Sequence, residues 1–270
     1  MRNHPNRRAT LHEFMSESKE PNASARAGDP RFSIVVPCYN EQDCIVGLCE
    51  EILAVTAVGA EFELIVVDDC STDQTRQRLG EIRDRTGAAI RVIVHGVNSG
   101  QSAAICTGVD AARGEWIITL DGDGQNDPAD IPALIEVLAE SVGGSGIPIL
   151  CGHRTNRRDS LVRKLSSRVA NGVRAALLRD ESPDTGCGLK LMHRESFLRL
   201  PRFDHMHRFL PALMRREGGV VISVPVGHRP RQAGQSKYGI HNRLWVGIVD
   251  LCGVMWLVQR RFKDKTNEEN

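Results

Sequence analysis

Four times between residues 32 and 128 the chain repeats one pattern: a short apolar run, an abrupt polar end, then apolar residues at helical spacing. Phe32-Ser33-Ile34-Val35-Val36-Pro37 opens the series, and Ile45, Leu48, Ile52 and Leu53 follow at the period of a helix. Phe62 to Val67 runs into Asp68-Asp69, and a helix carrying Leu79 and Ile82 comes next, with Ser71 or Asp73 placed to cap it. Ile90 to Val94 leads to Asn98-Ser99-Gly100 and a helix through Ala103, Ala104, Val109 and Ala112. Trp116 to Leu120 ends in Asp121-Gly122-Asp123, and Pro128 opens a helix to about Leu138. Near-continuous apolar strands are buried on both faces, and regular strand–helix alternation makes them parallel. The expected fold is therefore α/β: a Rossmann-like, mostly parallel sheet with helices on both faces.

In such sheets ligands lie beyond the carboxyl ends of the strands. Here every strand end delivers polar residues: Tyr39 and Glu41, then Asp68 and Asp69, then Asn98, then Asp121 and Asp123. Each alone has the plain alternative of a turn residue or a solvated cap. Together they indicate a nucleotide site. Two carboxylates one residue apart suit Mg²⁺ or Mn²⁺, ions held by one or two carboxylates plus substrate phosphates. An EF-hand loop starting at Asp121 needs glutamate at its twelfth position, where Pro132 stands. A haloacid-dehalogenase-type phosphatase needs Thr or Val where Gln125 stands. Both are excluded.

A net charge of +1, with 41% hydrophobic and 26% charged residues, is ordinary for a soluble domain. It hides a basic segment, because His153 to Arg179 holds eight Lys/Arg against the single Asp159. Within it Leu161, Leu165, Val169, Val173 and Leu177 step by four beside Arg163, Lys164, Arg168 and Arg174. A basic amphipathic helix of this kind suits an anionic membrane surface, or presents a solvated face while packing on a core. The eight cysteines contain no Cys-x-x-Cys, so buried free thiols in a reducing cytoplasm are expected. Residues 1–30 are polar, without the apolar core of a signal peptide, and read as a disordered tail. Leu244 to Val258 is apolar for fifteen residues but contains Asp250, short of the ~20 that span a bilayer. With Trp245, Trp256 and the trailing Arg260, Arg261 and Lys263, residues 241–270 read as an interfacial helix and a basic tail.

The stretches Val36-Pro37-Cys38-Tyr39-Asn40-Glu41, Val66-Val67-Asp68-Asp69-Cys70-Ser71-Thr72-Asp73, Asn98-Ser99-Gly100 and Leu120-Asp121-Gly122-Asp123 resemble the family-2 glycosyltransferases of GT-A fold, from about Phe32 to Tyr238. The resemblance implies a catalytic domain over residues 31–240. It implies a nucleotide-sugar site at Pro37, Tyr39, Glu41, Asp68, Asp69, Asn98, Gly122, Arg231 and Lys237, with Asp121, Asp123 and Gln125 around the metal. Further on, Gly152-His153-Arg154, Asp184-Thr185-Gly186-Cys187-Gly188-Leu189-Lys190, His207-Arg208-Phe209-Leu210-Pro211 and Arg231-Gln232-Ala233-Gly234-Gln235-Ser236-Lys237-Tyr238 look like the dolichyl- and polyprenyl-phosphate sugar synthases. By that likeness Arg154, Arg163 and Ser167 bind the acceptor phosphate, Arg231 bridges to the donor phosphates, and Asp184 helps place the sugar. The implied activity is metal-dependent, inverting transfer of a hexose-type sugar from a GDP- or UDP-linked donor to a polyprenyl phosphate. The implied partners are a membrane surface on the cytoplasmic side, or a small membrane protein, and no nucleic acid. Two alternatives stay open: a soluble transferase acting on a sugar hydroxyl with Asp184 as base, and a silent nucleotide-sugar- or lipid-binding scaffold. Gly122 and Gly124 depart from apolar residues common in the family, which implies a looser turn and an altered metal preference. Gln101 stands where a basic residue is common, leaving diphosphate neutralisation more to the metal and the arginines.

Overall fold

The computed structural model describes residues 30–56, 61–141, 144, 146–155, 172, 174, 177, 178, 182–230 and 240–260. The interior strand β1 (Phe32–Cys38) is buried along its full length. It lies between two parallel neighbours, β2 (Phe62–Asp68) and β4 (Trp116–Thr119), so it has neither an edge nor a free face. β3 (Ile90–Val94) extends the sheet beyond β2, also in parallel. On the other side come β5 (Pro148–Arg154), β6 (Lys190–His193) and β7 (Val220–Val226), giving the order β3-β2-β1-β4-β6-β5-β7. β6 runs antiparallel to both β4 and β5, while β7 is parallel to β5.

Alternate side chains of each strand feed opposite layers. Ile34 and Val36 join Leu64 and Val66 under α1 (Ile45–Thr56), α2 (Thr75–Thr86) and α4 (Ile131–Ser141), where Ile45, Ile52, Leu79 and Leu134 are buried. Val35, Ile65 and Val67 belong to the opposite layer, covered by α3 (Gln101–Ala111) and continued by α5 (Arg194–Leu198), α6 (Leu210–Arg216) and α7 (Ile240–Gln259). Fully burying each such Val, Leu or Ile side chain is worth roughly 1.5–3 kcal/mol. Chain order reverses at β1, which leads to β2 on one side and is flanked by β4 on the other. The crevice at their carboxyl ends is where a doubly wound sheet binds its ligand.

Three sequence expectations change. The helix expected from Pro128 starts as a 3₁₀ turn, Pro128–Asp130, with the Asp127 carboxylate accepting from the Ala129 amide at 2.9 Å; α4 proper begins at Ile131. Arg174, expected among the basic residues flanking the apolar stripe, is instead buried, with its guanidinium donating to the Thr185 hydroxyl and to the Ser182 carbonyl at 2.8 Å. The C-terminal membrane-surface helix is not simply an appendage. α7 is 20 residues long, Val254 is buried in the second core layer, and Leu251, Met255 and Val258 pack against it. Asp250, which interrupts the apolar run in sequence, lies 3.1 Å from His205 Nδ1. Ile248, Val249 and Trp256 remain exposed on α7. Among the described residues no helix is long and apolar enough to cross a membrane. The cysteines are free: six are buried, Cys70 is half-buried and Cys252 is exposed.

Candidate active site

The turn after β4 is held from several sides. Thr119 Oγ1 donates to the Gly188 carbonyl at 2.7 Å, tying β4 to the segment that enters β6. The Asp121 amide donates to Asn126 Oδ1 at 3.1 Å, and the Gln125 amide donates to Asp123 Oδ1 at 3.1 Å. Gln101, the first residue of α3, donates its side-chain amide to Asp121 Oδ1 at 2.7 Å. Gly188 lies so close that a β-carbon there would sit 2.3 Å from the Asp121 carboxyl carbon.

The residue Asp121 keeps an exposed edge, but its carboxyl group is closely packed round. Burial first and then the neighbouring Asp123 raise its pKa, Lys190, Arg154 and Gln101 oppose them, and the net result is about 6. Lys190 is itself buried and donates to the Cys187 carbonyl. Two crowded carboxylates of this kind fit a hard divalent cation, whose charge offsets their mutual repulsion and whose remaining positions take phosphate oxygens. Asp121 and Asp123 are the residues that would hold Mg²⁺ or Mn²⁺. Gln125 is in the same turn, its amide bound to Asp123 and its carbonyl accepting from the Arg229 amide at 3.0 Å.

Next to this turn, the ends of β1 and β2 form a laced pair of loops. Pro37 is the penultimate residue of β1, and the half-buried Tyr39 and Glu41 follow it. Asn40 has a left-handed backbone, φ 53°, and its Oδ1 accepts from the Thr72 amide at 2.7 Å. Asp68 is fully buried; Oδ1 accepts from the Ser71 amide at 3.1 Å, while Oδ2 has no hydrogen-bond partner among the described residues. Asn98 donates from its side chain to the Asp69 carbonyl at 3.0 Å. The edge of Gly122 faces the β1 end, where a β-carbon would lie 2.8 Å from the Pro37 carbonyl oxygen.

On the far side, Arg154 at the end of β5 makes a bidentate pair with Asp184, at 2.6 Å from Nε and 2.8 Å from Nη2. Both side chains are largely buried. Arg154, expected at the acceptor phosphate, and Asp184, expected to help place the sugar, thus neutralise each other. Arg163, Ser167, Arg231 and Lys237 lie outside the described residues. Arg229, just before that last segment, pairs with Asp127 at 2.7 Å and also with Glu51.

Sequence reasoning passed over Asn126, Gly188 and Lys190 as site residues, although Gly188 and Lys190 stand in a quoted motif. Asn126 acts within the turn itself, whereas Gly188 and Lys190 reach the site through β6 inserting beside β4, a pairing no local pattern announces.

The glycosyl transferase family 2 model matches residues 33–200, which contain all of this architecture up to β6. The chain belongs to this family. It is 38% identical over 234 residues to a dodecaprenyl-phosphate galacturonate synthase from Rhizobium johnstonii, a match covering 84% of this chain and 67% of that relative. It is 34% identical over 210 residues to an undecaprenyl-phosphate 4-deoxy-4-formamido-L-arabinose transferase from Edwardsiella ictaluri, covering 77% of this chain and 63% of the relative. The match thus spans about two thirds of the length of these curated relatives. Solved structures of similar fold include glucosyl-3-phosphoglycerate synthase from Mycobacterium tuberculosis, with TM-score 0.62 and 20% identity over 98% of this chain and 88% of that one. A mannosyltransferase from Pyrobaculum calidifontis, solved with GDP-Man and Mn²⁺, aligns with TM-score 0.63 and 19% identity over 95% and 72%. At these identities the likeness bears on fold, and it agrees with the GT-A arrangement expected from the motifs.

Proposed function

We propose that this family 2 glycosyltransferase moves a hexose-type sugar from a GDP- or UDP-linked donor to a polyprenyl phosphate, inverting the anomeric carbon, with Mg²⁺ or Mn²⁺ at Asp121 and Asp123. The observation that carries the reading is convergence at one sheet edge. The unpartnered oxygen of Asp68 and the paired carboxylates after β4 flank β1 on either side, a base-to-diphosphate layout. Both named relatives act on polyprenyl phosphates, which supports that class of acceptor.

Asp68 Oδ2 accepts an N–H from the base, with Pro37, Tyr39, Glu41 and Asn98 around the nucleoside. Asp121 and Asp123 would hold the cation, which when bound would supply positive charge to the departing diphosphate. Gln101 and Asn126 keep the Asp121 turn in place. The acceptor phosphate has a second pKa of about 6 by analogy with phosphate monoesters, so it arrives as an anion and requires no strong base. Alignment with the leaving group is then the main catalytic demand. Arg163, Ser167, Arg231 and Lys237 are assigned here by resemblance, the first two to the acceptor phosphate and the others to the donor phosphates. Arg154, steadied by Asp184, lines the same approach.

The pairing of Asp184 with Arg154 weighs against a hydroxyl-directed transferase, because a carboxylate clamped to guanidinium is a poor proton acceptor. Exposed Ile248, Val249 and Trp256 on α7 support peripheral attachment to the cytoplasmic face of a membrane, directly or through a small membrane protein. The test is to offer labelled nucleotide-sugars with undecaprenyl phosphate and to follow label into the organic phase. Transfer only to a water-soluble acceptor overturns the lipid-phosphate reading, and binding without any turnover leaves the scaffold.

A further inference from the structure

Asp69 adjoins the donor-binding strand end, yet its carboxylate is turned into the protein, with the side chain only 5% exposed. Three donors converge on it. The Ser99 amide donates to Oδ1 at 2.9 Å, the Gly100 amide to Oδ2 at 2.7 Å, and His95 Nδ1 lies 2.7 Å from Oδ1. A carboxylate can only accept, so His95 donates to it from Nδ1–H, while Nε2 lies 2.9 Å from the Thr107 hydroxyl oxygen. Backbone bonds hold the same assembly to the sheet, from the Asp69 amide to the Cys38 carbonyl and from the His95 amide to the Asp68 carbonyl, both 2.9 Å.

The turn gripped in this way ends at Gly100, which precedes α3 with φ 87° and ψ 162°, a conformation open in practice to glycine alone. The next residue is Gln101, whose side chain holds Asp121 Oδ1. An unbroken line of contacts therefore runs from His95 through Asp69 and Gly100 to Gln101 and Asp121. We propose that Asp69 and His95 are positioning residues, which do not touch the donor but set the β3–α3 turn and, through Gln101, the orientation of Asp121. The inference rests on the reading of Asp121 as a carboxylate of the metal–diphosphate site.

Asp69→Asn tests it, because asparagine offers one acceptor oxygen where three donors converge and brings a competing N–H₂ group. Hydrogen exchange at the Ser99 and Gly100 amides is measured first, on protein free of nucleotide and metal. The variant is expected to exchange these amides at least tenfold faster than wild type, with the β1 and β4 amides unchanged. Binding of UDP and GDP is then measured with and without Mn²⁺. Metal-free affinity should stay within about threefold of wild type, while the Mn²⁺-dependent gain and kcat fall at least tenfold. His95→Leu should reproduce the faster exchange, and His95→Asn, whose side-chain N–H₂ occupies roughly the place of Nδ1–H, should restore most of the protection. Unchanged Gly100 exchange in Asp69→Asn overturns the proposal. So does a loss of metal-free nucleotide affinity as large as the loss of kcat, which would make Asp69 a direct donor contact. Wild-type protein that binds neither nucleotide with Mn²⁺ would refute the transferase reading, whereas accelerated Gly100 exchange in the variant would still support the grip of Asp69 on the turn.

Discussion

Gly188→Ala is the sharpest probe of the site, because it adds one carbon at a place where the backbone permits it and the neighbours do not. Gly188 is not among the residues with positive φ, so alanine carries no conformational penalty there. The new β-carbon would meet the Asp121 carboxyl atoms at 2.3–2.4 Å, about 1 Å inside ordinary contact. Gly188 has little freedom to retreat, since its carbonyl is held by Thr119 and β6 begins two residues later. Asp121 must then swing away, breaking its bond to Gln101. A misplacement of about 1 Å in a positioned group costs about 10²-fold in rate, or about 2.7 kcal/mol of transition-state stabilisation. Overpacking should lower stability by about 1–3 kcal/mol, a few degrees in Tm for a domain of this size. The assay is initial-rate sugar transfer to undecaprenyl phosphate, with thermal melts of the same samples. A double-variant comparison isolates the cause: Gly188→Ala added to Asp121→Ala should lower activity no further. If Gly188→Ala retains activity within about threefold of wild type, Asp121 is not the positioned carboxylate described above.

Asp123→Ala should abolish transfer, as should chelation with EDTA, and Mn²⁺ or Mg²⁺ should restore only the chelated wild type; full turnover after thorough metal stripping would contradict the assignment. Asp184→Ala leaves Arg154 largely buried without its counter-charge and should cost about 3 kcal/mol in urea unfolding, against little change if the pair were solvent-screened. His207 provides a pH test: burial first, then Lys190, Arg208 and His205, bring its pKa down to about 3. The folded protein thus resists a proton that the unfolded chain accepts near pH 6.5, so this contribution is intact above that pH and is lost as pH falls towards 3. Between pH 7 and pH 5 wild type should lose up to about 2 kcal/mol that His207→Asn does not, measured by urea melts at both pH values. Replacing Ile248, Val249 and Trp256 with serine should weaken binding to anionic vesicles while leaving Tm within a few degrees, because these side chains lie outside the core.

Much of this protein is written locally. β1, β2 and β4 are legible because strands buried on both faces must be largely apolar, and the polar residues at their ends stand out against that background. The same contrast marks Asp68, Asp121 and Asp123 in the sequence alone. Their environment is another matter. Gly188 against Asp121, Lys190 beneath it, and Arg154 locked to Asp184 join residues 30 or more positions apart in sequence, and all follow from β6 entering the sheet antiparallel between β4 and β5. Asp69 reads as a donor ligand from its place in a motif, whereas its carboxylate is taken up by amides of the next loop. Residues 244–258 likewise display an apolar surface in sequence, and only packing decides that Val254 belongs to the core while Trp256 faces outward. Periodicity reports that a side chain is to be buried or bound, because that depends on its own chemistry. Which partner meets it depends on strand order and helix docking, which are settled by the whole chain at once.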